Sequence, residues 1–67
     1  MENQMTSLEQ QGKDILEAVD HNQVCPYITD SVAAAVKAYV DVMPRTGLSR
    51  ICYHFVGQVL RHEVKQA

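Results

Sequence analysis

Leu48-Ser-Arg-Ile-Cys-Tyr-His-Phe-Val-Gly-Gln-Val-Leu-Arg-His-Glu-Val-Lys65 is the stretch whose reading decides the fold. It holds no proline, and its apolar residues recur at helical spacing. At about 100° per residue, Leu48, Ile51, Cys52, Phe55, Val56 and Val59 line one face of a helix. Tyr53, Gly57, Leu60 and Val64 form a second stripe beside the first. Arg50, His54, Gln58, Arg61 and Lys65 are left as a polar edge. An arc of two stripes is wider than a surface helix of a small monomer needs. The pattern predicts that one stripe packs on the chain itself and the other on a second chain. A helix buried wholly within its own bundle is the alternative.

Working outward, two further helices precede this one. Pro44 ends the middle helix, since proline has no amide to donate and disfavours a helical predecessor. Thr29 or Asp30 opens it, and Val32, Ala35, Val36, Tyr39, Val42 and Met43 make its apolar stripe. Before it, Thr6-x-x-Glu9 and Ser7-x-x-Gln10 both have capping-box spacing, so a first helix starts there. Leu8, Ile15, Leu16 and Val19 form its stripe, which Gly12 interrupts. A mid-helix glycine costs about 1 kcal/mol relative to alanine, which makes this helix the least secure. The fold class read from these signals is all-α: a small three-helix bundle with helices over 6–20, 30–43 and 48–65. Residues 1–67 form a single domain with a flexible segment over 1–5.

Sixty-seven residues with 21% charged side chains leave room for one domain only. A chain this short buries about 60% of its unfolded surface and is helped by a disulfide, a metal or a partner chain. Cys25 and Cys52 are too few for a disulfide scaffold and lack C-x-x-C spacing. The first residues show neither a basic nor an apolar signal-peptide region, and the apolar run Val32–Val36 is far too short to span a bilayer. A cytoplasmic protein of a bacterial host, with no membrane association, is expected. Charge is uneven. Residues 1–30 carry six acidic side chains against Lys13, a net of −5, while 31–67 carry five basic against two acidic, a net of +3. Together they give −2, unlike a chain that is basic throughout.

Catalytic chemistry finds little support. His54 and His62 are eight apart and His21 is remote, so no i, i+4 pair grips zinc, although His21, Cys25 and His54 remain a conceivable composite. Cys52 lies on the apolar stripe and reads as a small core residue. No phosphate loop and no nucleophile–base spacing is present. No enzyme, no cofactor and no metal site is predicted.

Binding is the expected mode of action, with two surfaces. Phe55, Val56, Val59, Leu60 and Val64 are the expected dimer interface. Tyr39, Arg45, Arg50 and Tyr53 are the expected anchors for a protein target, because aromatic and arginine side chains carry most interface energy. Gly47-Leu-Ser-Arg50 resembles the opening of many helix-turn-helix recognition helices, and Tyr53-His-Phe55 resembles the Tyr-x-His-Phe ending of TetR-type readers. The adjacent Tyr53 and His54 and the Pro44–Gly47 turn depart from that register. The basic edge of the third helix keeps DNA binding as the alternative.

Asp30-Ser-Val-Ala-Ala-Ala-Val-Lys-Ala-Tyr39 resembles the first conserved helix of the Fis family of bacterial nucleoid proteins. Tyr53-His-Phe-Val-Gly-Gln-Val-Leu60 is similar to that family's long second helix, so the likeness spans roughly residues 28–64. Those two helices form an intertwined dimer core in Fis, and the resemblance therefore implies an intertwined helical homodimer. The family's C-terminal helix-turn-helix has no counterpart here, so its mode of DNA binding is not implied. In size and type the chain is also similar to the small standalone inhibitors that phages direct against host regulators. A small regulatory protein that inhibits or modulates a host protein, such as a transcription regulator, is the expected function.

Overall fold

The computed structural model describes residues 6–43 and 47–64 and contains three helices, with no strand among those residues. Helix α1 spans Ser7–Asn22, α2 Asp30–Val42 and α3 Arg50–Arg61. The all-α, three-helix architecture read from the sequence is the one observed. The segment 1–5, Pro44, Arg45, Thr46 and Lys65 lie outside the described residues.

Each helix starts on a hydroxyl that satisfies an amide of the first turn. Thr6 caps α1: its Oγ1 accepts from the Glu9 amide at 3.1 Å, and Glu9 Oε1 accepts from the Thr6 amide at 3.1 Å. Thr29 caps α2, accepting from the Val32 amide at 3.2 Å. Ser49 caps α3, accepting from the Cys52 amide at 3.3 Å.

The ends depart from expectation more than the starts. Helix α1 runs to Asn22 instead of Asp20, because Gln23 takes a left-handed conformation (φ 58°) and its amide closes on the Val19 carbonyl at 2.8 Å. Met43 is extended, the conformation that a residue before proline favours, and ends α2 one residue early. Helix α3 is shorter than 48–65 at both ends, starting after its Ser49 cap and stopping at Arg61. His62 is extended there (φ −81°, ψ 128°), and a remote pair of contacts holds it. The Lys37 ammonium donates to the His62 carbonyl at 2.7 Å, and His62 Nε2 lies 2.8 Å from Asp30 Oδ1. Beyond this latch, Val64 packs back on the core.

The core is built from Leu16 and Val19 of α1, Ala33, Val36 and Val40 of α2, and Cys52, Phe55, Val56 and Val59 of α3. Cys52 sits among them as a small buried side chain, its Sγ donating to the Leu16 carbonyl at 3.3 Å. Gly12 marks the crossing of α1 and α2. A Cβ built on it would collide with the Ala35 carbonyl and stand 2.7 Å from Tyr39 Cβ. Gly12 thus has a packing reason: its missing side chain lets two backbones meet.

The five expected dimer-interface residues are redistributed by this packing. Phe55, Val56 and Val59 are 0%, 2% and 0% exposed within one chain, so in this fold they offer no surface to a second. Val64 is half-buried against the same core. Only Leu60 remains on the outside. The physical reason is the direction of the stripe. Cys52, Phe55, Val56 and Val59 point at α1 and α2, which together cover them.

Candidate interaction surface

The fold leaves part of the second stripe of α3 open. Tyr53 is 65% exposed and Leu60 45%, two turns apart on one flank of the helix. Gly57 lies between them, and a Cβ there would meet only the Arg61 guanidinium, at 3.9 Å. Leu60 forms one wall of a groove of about 700 Å³ whose other wall is the outer face of α2. Ala34 and Ala38 make the apolar part of that wall, and Lys37 and Asp41 its polar part. The Lys37 bond to the His62 carbonyl ties the two walls together at one end.

The expected target anchors meet different fates. Arg50 and Tyr53 are exposed one turn apart at the start of α3. Tyr39 is half-buried and packs on the core, with its Cβ over Gly12. Its side chain borders a cavity of about 160 Å³ shared with Lys13, Met43 and Leu48, so it belongs to the α1–α2 contact as well as to the surface. Arg45 lies outside the described residues. Leu48 and Cys52 line that cavity on the α3 side.

One surface feature escaped the sequence reading. An apolar groove of about 320 Å³ lies where the end of α1, the linker and the start of α2 meet. Ile15, Ala18, Val24, Pro26 and Val32 line it, and beside it in the linker Tyr27 is 86% exposed. The signal was present as Val24-Cys-Pro-Tyr-Ile28, an apolar run in a segment taken only as a break between helices.

Among the described residues no group of three or more His, Cys, Asp or Glu side chains is placed to hold a metal ion. Both cysteines are free, Cys25 half-buried and Cys52 buried. No described helix is long and apolar enough to cross a membrane. The chain matches no family model, and comparison with curated proteins and with solved structures finds no match.

Proposed function

We propose that the chain is a small regulatory protein that acts by binding: it pairs with a second copy of itself and inhibits or modulates a host protein, without turning over a substrate. One observation carries this reading. Helix α3 commits one apolar stripe to its own core and leaves Tyr53 and Leu60 exposed, Leu60 on the wall of an open groove. Exposed large side chains on one flank of a helix suit protein contact, since aromatic anchors bring large area at low entropic cost. Arg50 adds a guanidinium one turn away. Light scattering at micromolar concentration tests the self-association, with an expected mass of twice 7.5 kDa. Quantitative capture from bacterial lysate tests the target surface. A protein retained by the wild-type chain and lost with Tyr53→Ala, at unchanged circular dichroism, is the expected result. Equal capture by both chains refutes Tyr53 as an anchor.

A second reading has its own observation. Arg50, His54 and Arg61 are all exposed on the outer edge of α3, in one row at helical spacing. Such a row suits phosphate contacts, which need positive charge and reach. Binding to generic duplex DNA that falls steeply with salt favours this reading, because phosphate neutralisation releases counterions.

A further inference from the structure

The outer α2–α3 groove has the two parts that a patch needs to dock on itself. In a two-fold dimer the same surface meets its own copy, so it must supply both the projection and the recess that receives it. Leu60 is the projection, 45% exposed on the α3 wall. Ala34 and Ala38 on the α2 wall give the recess, since neither side chain extends past its Cβ. Gly57 adds no side chain between Tyr53 and Leu60, and only the movable Arg61 guanidinium lies near it, so a second backbone can come close along α3.

Charge points the same way. Asp41 is an exposed carboxylate on the α2 wall, and Arg61 an exposed guanidinium lying beside Gly57 on α3. Neither side chain makes a hydrogen bond or ion pair with another described residue. Lys37, by contrast, is already held by the His62 carbonyl, which leaves Asp41 without a cation from its own helix. Asp41 on the groove's α2 wall and Arg61 beside Gly57 on α3 are thus two unengaged charges of opposite sign, and a two-fold pairing of this face can set each against its opposite.

We propose that two copies of this chain pair through this groove, with Leu60 of each seated between Ala34 and Ala38 of the other and Asp41 facing Arg61 across the seam. This rests on the self-association reading above and names its surface. A foreign helix would have to match both walls by chance, whereas a second copy supplies the complement of each.

Sedimentation equilibrium of the full chain tests it with a charge swap. Asp41→Arg and Arg61→Asp each break two symmetry-related pairs and should weaken the dimer by roughly tenfold or more. Combined in one chain, the two reversals should restore it to within about threefold of wild type. Leu60→Glu should give a monomer with unchanged circular dichroism. If that variant loses its helical signal, the charge swap decides alone, because both of its residues are exposed. A dimer indifferent to all of these substitutions overturns the seam and leaves self-association standing. A wild-type chain of monomer mass at every concentration overturns both.

Discussion

Gly12 and Gly57 sit in the middle of helices at opposite ends of the chain, and they mark two regions with opposite demands. At the α1–α2 crossing the backbones are so close that the smallest side chain would strike the Ala35 carbonyl and crowd Tyr39 Cβ. On the outer stripe of α3 the same atom would meet only the movable end of Arg61, at 3.9 Å. A helical glycine has no fixed meaning. Where backbones touch, it is a packing residue whose loss of helix propensity is offset by close contact. Where space is open, it weakens the helix by about 1 kcal/mol and leaves room for whatever docks there.

The largest effect that tests this contrast comes from the buried stripe. Phe55→Ala empties the centre of the core and should cost about 3–5 kcal/mol in chemical denaturation, enough to unfold a domain of this size. Next is Gly12→Ala, expected to destabilise by about 1–3 kcal/mol because backbone, not a flexible side-chain end, must give way. A neutral or stabilising Gly12→Ala would show that the crossing is looser than described. The same change at the other glycine should have the opposite sign. Gly57→Ala should stabilise the chain by about 0.5–1 kcal/mol when unfolding is followed at concentrations too low for pairing. The smallest effect belongs to Tyr53→Ala, which should stay within about 0.5 kcal/mol of wild type under the same conditions, since its ring packs little on its own chain. A larger loss would mean that the outer stripe supports the fold.

Helix α3 shows how far a one-dimensional pattern reaches. Its periodicity resolved two stripes, and the structure buries one of them and exposes part of the other. Yet Phe55, Val56 and Val59 were assigned to a seam between chains. Periodicity says which residues share a face but not what lies against it. The size of α1 and α2 decides whether their surfaces can cover that face, and they do. Tyr39 carries the same lesson. Its aromatic ring suited a surface anchor, but its place over Gly12 makes it part of the helix crossing. The linker groove was missed because Val24 and Pro26 are informative only once Ile15 and Val32 are known to stand beside them.

Thr6, Thr29 and Ser49 act within three residues of themselves, as hydroxyl to amide. The first two starts are legible in the order of residues alone, whereas the apolar pattern starts the third helix at Leu48 and passes over its Ser49 cap. The stop before Pro44 is local in the same sense, a matter of one residue and its neighbour. Contacts between residues far apart in the chain settle the rest. The Cys52 thiol reaches a carbonyl 36 residues back, Lys37 reaches one 25 residues ahead, and His62 meets Asp30 across 32. The two contacts of His62 hold the chain where α3 ends at Arg61, while the packing of the helices puts Phe55 inside and Leu60 outside and makes Gly12 the point where two helices meet. Local hydrogen bonding and side-chain period decide what each segment becomes. Which of its faces is covered depends on the shape of segments that sequence order does not make neighbours.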